Sequence, residues 1–181
     1  MRDRIEAQID GIVYLNPSTG LYEIKLARAD YDPLTIPELN ATNVLEIRTF
    51  TRGTWEGTSN QVRVPFQQRD DSYKETYGFA QDMALVRIIG ANVSSTVTHP
   101  GLKDKTLANN IAWRTLRTLA IPLAQGTFIV DRTFYGVLPG DVLAFTDPDL
   151  GFVRLPMRVK SVDYGHLLEG EILIDTVQDV F

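Results

Sequence analysis

Val153-Arg154-Leu155-Pro156-Met157-Arg158-Val159-Lys160-Ser161-Val162-Asp163-Tyr164 alternates apolar and polar residues with a period of two. That is the period of a β-strand with one face towards a core. Val153, Leu155, Met157 and Val159 share one register, whereas Val162 and Tyr164 fall on the other. One extra residue near Lys160-Ser161, a β-bulge, restores the apolar face.

Working outward, turn chemistry brackets this strand. Asp147-Pro148-Asp149-Leu150-Gly151 precedes it and Gly165 to Gly170 follows it. Before the first turn stand Val142 to Thr146 and the tight turn Leu138-Pro139-Gly140-Asp141; after the second, Glu171 to Val180 reads as a strand. Thr127 to Phe134 reads as another. Near the start, Gln8 to Leu15 and Leu21 to Ala27 flank Asn16-Pro17-Ser18-Thr19-Gly20, the pattern of a hairpin. There Tyr22, Ile24 and Leu26 alternate with Glu23 and Lys25, which predicts that the charged pair faces water.

After a proline-bearing connection from Asp30 to Thr42, Val44 to Phe50 reads as a strand. The small, polar run Thr51 to Ser59 then suggests a boundary. Beyond it lie strands at Gln61 to Phe66, Lys74 to Phe79 and Val93 to His99, with a less certain stretch at Asp82 to Ile89 between the last two. Pro65 cannot donate to a ladder and belongs at an edge or strand end.

One helix is read, from about Asp104 to Ala120. At about 100° per residue, Leu107, Ala108, Ile111, Ala112, Leu116 and Leu119 share one half of the wheel. Asn109, Asn110, Arg114 and Arg117 occupy the other, and Trp113 falls among them. Asp104 is the expected N-cap, and Pro122 stops the helix at Ile121. The expectation is a mainly β fold, a barrel or sandwich, with one amphipathic helix and a small α+β portion at the front. The domains expected are 1–59, with the hairpin, and 60–181, a β-barrel with its helix.

Composition narrows the function classes. With 44% hydrophobic and 23% charged residues, the 181-residue chain can bury a core. It has no cysteine, which removes disulfides and thiolate chemistry and fits synthesis in a reducing compartment. Met1-Arg2-Asp3-Arg4-Ile5-Glu6 has no apolar run behind its charges, so no signal peptide is read there. Its apolar runs are far shorter than the roughly 20 residues of a membrane span. A net charge of −5 argues against nucleic acid as a bound partner, because such binding rests on cationic contacts to phosphate.

No catalytic or cofactor constellation is read. His99 and His166 both read as solvated residues in or beside turns, and no Gly-x-Ser-x-Gly or glycine-rich phosphate loop occurs. Asp30-Tyr31-Asp32, Asp70-Asp71 and Asp147-Pro148-Asp149 sit in turn-like sequence, where Asp bonds its own backbone; no metal site is assigned. What remains is surface. Trp113, Arg114 and Arg117 on the helix, and Trp55 in the connection, are the candidate interface residues, since Trp and Arg are enriched at binding hot spots; the alternative for Trp113 is that it covers a loop of its own domain, and for Trp55 internal packing is the favoured reading.

Read in order, Arg52-Gly53-Thr54-Trp55-Glu56, Asn60-Gln61-Val62-Arg63-Val64, Gln81-Asp82-Met83-Ala84, Leu107-Ala108-Asn109, Asp131-Arg132, Leu138-Pro139-Gly140-Asp141, Met157-Arg158-Val159 and Val177-Gln178-Asp179-Val180-Phe181 form a series. Together they resemble the tail-hub, or tip-attachment, family of long-tailed bacteriophages and prophages. The resemblance implies a structural virion protein, without catalysis or cofactor, connecting the tail tube to a baseplate or fibres. It implies assembly in the bacterial cytoplasm and a place at the tail tip, beside tube or distal-tail proteins, tape measure and fibres. Family members carry two related β-barrels around an α+β portion and form homotrimers. Only one barrel is read here, so the chain resembles a fragment and is expected to be monomeric alone. The alternative is a carbohydrate- or receptor-binding β-module of the tail tip.

Overall fold

In the computed structural model, which describes residues 9–166 and 170–180, the alternating stretch is the centre of a curled sheet. Among the described residues eleven strands and two α-helices have defined bounds. β1 (Gly11–Leu15) and β2 (Tyr22–Leu26) form a hairpin, followed by β3 (Glu38–Leu39) and β4 (Val44–Arg52). Then come β5 (Gln61–Gln68), β6 (Lys74–Gln81), α1 (Met83–Ile89), β7 (Ser94–Thr96) and α2 (Lys105–Leu119). β8 (Ala124–Val130), β9 (Val142–Asp147), β10 (Phe152–Asp163) and β11 (Ile172–Gln178) complete the chain. The turn expected at Gly165 to Gly170 includes 167–169, which lie outside the described residues, as do Gln8 and Phe181.

The chain divides into two compact units, 1–52 with 124–181, and 53–123. This replaces the single boundary expected between 59 and 60. The reason is β4: it pairs antiparallel with β8, so the front of the chain belongs to the same sheet as its end. The 53–123 unit combines strands with the two helices, α1 and α2.

In the first unit the strand order is β3-β9-β10-β11-β8-β4. Phe128 on β8 and Phe145 on β9 show why it must curl. Three strand spacings separate them, about 14 Å in a flat sheet, yet their ring centroids are 4.8 Å apart. Phe50, on the edge strand β4, closes over the same core at 5.4 Å from Phe145 and 5.3 Å from Phe152. Leu143, Met157, Val159, Ile172 and Ile174 fill the interior. The strands at the two ends of the order, β3 and β4, are joined through Asn40–Asn43, where Asn40 Oδ1 accepts from the Thr42 N–H and Asn43 Nδ2 donates to the Glu38 carbonyl. The result is a half-barrel.

β10 carries the bulge expected near Lys160-Ser161: its register against β11 shifts between Val159 and Ser161. A second, unexpected shift lies between Phe152 and Leu155, against β9. There Arg154 adopts φ +51° and Val153 is 81% exposed instead of joining Leu155 in the core. The left-handed backbone is costly for a non-glycine residue. It aims the Arg154 guanidinium at Glu38 Oε2 (3.1 Å) and the Pro33 carbonyl (2.7 Å). The strand expected over Thr127 to Phe134 ends at Val130. Asp131 then caps a single 3-10 turn, Arg132–Phe134, by accepting from the Thr133 N–H.

In the second unit, β6-β5-β7 form a three-stranded sheet whose one face is covered by α2. Val62, Val64, Phe66 and Ala80 meet Ala108, Ile111, Ala112 and Leu116 in a core of its own. Pro65 sits on the part of β5 beyond its pairing with β7, which covers only Gln61 to Arg63, so the missing N–H leaves no gap in that ladder. Asp104 caps α2 by accepting from the Leu107 N–H, as read, but Leu107 itself is 51% exposed and lies outside the core. The less certain stretch at Asp82 to Ile89, set among strands in the sequence reading, is a helix, α1: Asp82 accepts from the Ala84 and Leu85 N–H groups, and Gly90 ends it at φ +75°.

Candidate functional site

The β1–β2 ribbon has its charges turned inward. Tyr14 pairs with Glu23 and Ile12 with Lys25, which puts these four on one face; Val13 with Ile24, Gly11 with Leu26 and Leu15 with Tyr22 form the other. On the first face, Lys25 forms an ion pair with Asp141, and its stem lies against Gly140, where an added Cβ would come within 3.0–3.2 Å of it. Glu23 accepts from the Tyr14 hydroxyl and from Asn16 Nδ2, each at 2.8 Å. Burial, and then Glu23, push the Tyr14 hydroxyl up to about 12. The second face carries no charge. Tyr22 is 72%, Ile24 62% and Leu15 55% exposed.

This corrects the expectation that Glu23 and Lys25 form the wet face. The period of two was right and its phase was inverted, because polar partners await on the inner side. The outer face of the ribbon is therefore apolar and exposed.

The residues singled out on sequence all fall in the 53–123 unit. Trp113 (51% exposed) and Arg117 lie one turn apart on the uncovered side of α2, while Arg114 is only half-exposed and has an interaction of its own. Trp55 (56% exposed) belongs to a separate 3-10 turn, Trp55–Gly57; the Ser59 N–H that follows it donates to the Leu119 carbonyl. Trp113 and Arg117 share one stripe; Trp55 stands apart in sequence and element.

Several motifs of the ordered series prove to be internal polar nodes. Arg158 and Asp179 form a buried forked ion pair, and Arg158 also donates to the Gly140 and Arg28 carbonyls at 3.0 and 2.9 Å. Three motifs thus meet at one guanidinium. Burial and the neighbouring Asp179 carboxylate raise Tyr31 to about 12. In the inserted unit, fully buried Asn60 donates to the Ala91 carbonyl and accepts from the Val93 N–H, tying β5 to the approach of β7. Asn109 on α2 accepts from the Phe79 N–H of β6.

The acidic pairs are turn residues where described. Asp147 accepts from Asp149 and Leu150 N–H groups, and Asp32 from the Leu34 N–H. The Asp70 side chain lies outside the description. His99 is buried, not solvated as expected, and has an interaction of its own; His166 is exposed, as expected. Among the described residues no three His, Asp or Glu side chains gather as a metal site, and no helix is long and apolar enough to cross a membrane.

A protein-family model described as "Putative phage tail protein" matches residues 26–162. The chain belongs to this phage tail family. No curated protein sequence matches the tail protein significantly. Its fold is similar to three solved structures. One is from the virion of a native gene transfer agent particle: TM-score 0.70, 14% identity, covering 98% of this chain and 38% of that one. A tail protein from Neisseria meningitidis has TM-score 0.61, 14% identity and coverages of 97% and 53%. A 43 kDa prophage tail protein from Shewanella oneidensis has TM-score 0.56, 14% identity and coverages of 98% and 51%. The tail protein spans about half or less of the length of these relatives.

Proposed function

We propose that this tail protein is a structural part of a tail hub at the distal end of the tube, joining tube to baseplate or fibres without chemistry of its own. The observation that carries the reading is the apolar outer face of the β1–β2 ribbon, held rigidly by Lys25–Asp141 and Tyr14–Glu23 beneath it. A surface so built is suited to permanent contact with a neighbour in an assembly, where a hydrophobic patch is covered for good. The exposed Trp113 and Arg117 of the second unit supply a further contact of the hot-spot type.

The partners are copies of the full-length protein in a homotrimer, tube or distal-tail proteins above, and tape measure and fibres around them. The place is the tail tip of the virion, assembled in the bacterial cytoplasm, and the isolated chain is monomeric. Gold labelling of an epitope-tagged copy in tailed particles tests the position. Label confined to the distal tip agrees; label along the tube or at the capsid rules the hub role out.

A further inference from the structure

A second feature of the half-barrel unit is independent of assembly. The hairpin turn after β1, the 3-10 turn after β8 and the end of β10 enclose an open cavity of about 340 Å³. That lies at the small end of the range for small-molecule sites, about 300–1,000 Å³. Tyr135, 66% exposed, and Tyr164 give it two aromatic walls, with Pro17 and Leu138 beside them. The Tyr164 ring is fixed: its hydroxyl donates to the Val137 carbonyl at 2.6 Å, and its apolar body packs on the sheet core. Arg132 is the charged lining residue, and no carboxylate lines the cavity among the described residues. One of its five N–H donors bonds the His166 carbonyl at 2.6 Å, which holds the guanidinium at the wall.

We propose that this cavity binds a saccharide carrying a carboxylate, of the uronic-acid type. A pyranose has one face of C–H groups, which stacks on a tyrosine ring, and a rim of hydroxyls for Ser18 and the turn backbone. The guanidinium fork matches a carboxylate in geometry and charge. The net charge of −5 does not oppose this. The nearest carboxylates stand behind the lining and are engaged there, Glu23 with Tyr14 and Asn16, Asp141 with Lys25 and the Leu138 N–H, and Asp163 with the Gly165 N–H, so Arg132 is the charge that the lining itself presents.

The test is a ¹H–¹⁵N chemical-shift titration of the whole chain with glucuronic acid, glucose and acetate in parallel. Glucuronic acid should give saturable shifts at Arg132, Tyr135, Gly136 and Gly165, with glucose and acetate each binding at least about tenfold more weakly. Tyr135→Ala should weaken glucuronic acid binding about tenfold, since a stacked ring contributes about that factor, and Tyr135→Phe should retain it. Equal response to acetate would reduce the site to an anion site, and equal affinity for glucose would remove the role of Arg132; either overturns the proposal. So does the absence of saturable shifts at these residues. All three results leave the hub reading untouched, because that reading rests on other surfaces.

Discussion

Arg158 and Asp179 form a two-bond fork, 3.2 Å from Nε to Oδ1 and 3.0 Å from Nη2 to Oδ2, with side chains only 6% and 1% exposed. Two buried charges are tolerable only because each satisfies the other and the remaining donors reach carbonyls. The pair locks Asp179, just after β11, to the centre of β10, and Arg158 reaches on to the Pro139-Gly140 turn and to Arg28 after the hairpin.

Asp179→Ala should therefore cost about 3–5 kcal/mol, the penalty of stranding a buried guanidinium. Arg158→Met combined with Asp179→Leu should recover much of that loss, because no unpaired charge is left. Urea unfolding of the two variants beside the parent chain measures both. A loss under about 1 kcal/mol for Asp179→Ala would show that water reaches the site.

Gly78 on β6 lies directly beneath Ala108 of α2, and a Cβ there would come within 2.7 Å of the Ala108 backbone and side chain. Backbone cannot yield as a flexible side chain can. Gly78→Ala should destabilise by about 1–3 kcal/mol and raise hydrogen exchange in 53–123 first. Unchanged exchange there would contradict the close helix–sheet contact.

Tyr14 and Tyr31 keep their protons to about 12 in the folded chain, against an ordinary value of 10. Between those values the unfolded chain gives up protons that the folded chain retains, so the unfolded state gains. Their contribution is fully present below pH 10 and is lost as pH rises towards 12. The urea midpoint should fall from pH 9 to pH 11, and fall less steeply in Tyr31→Phe, which has one such group fewer. Equal slopes in the two proteins would remove Tyr31 from this account.

Which parts of this were legible in sequence follows from how local their causes are. The β1–β2 hairpin, the Asp104 cap and the β10 bulge near Lys160 are each dictated by residues within a few positions, and were readable. The helix at Met83–Ile89 was missed although Asp82 and Gly90 bracket it; two turns are too short for a period to emerge. The orientation of the ribbon was hidden because it depends on Asp141, more than a hundred residues from Lys25. The membership of β4 in the final sheet was hidden for the same reason, since Phe50 meets Phe145 and Phe152 only after the sheet curls. Local pattern gives an element its period; distant partners choose which side of it is wet.

Trp113→Ala should leave the stability of the isolated chain within about 0.5 kcal/mol, as an exposed side chain does, while reducing incorporation into tailed particles. A thermal melt and a particle-incorporation assay on the same variant separate the two effects. A large loss of stability would make Trp113 an internal packing residue.

The chain contains no cysteine, so Ile24→Cys introduces a single thiol at the centre of the apolar ribbon face. Its maleimide labelling rate, compared between the free chain and the assembled tail, is the most direct reading of whether that face is an assembly surface. Rapid labelling of the free chain with at least about tenfold protection in the particle, reversed on dissociation, is the expected result. A thiol that reacts equally fast in both states would contradict the assignment of the ribbon to a neighbour.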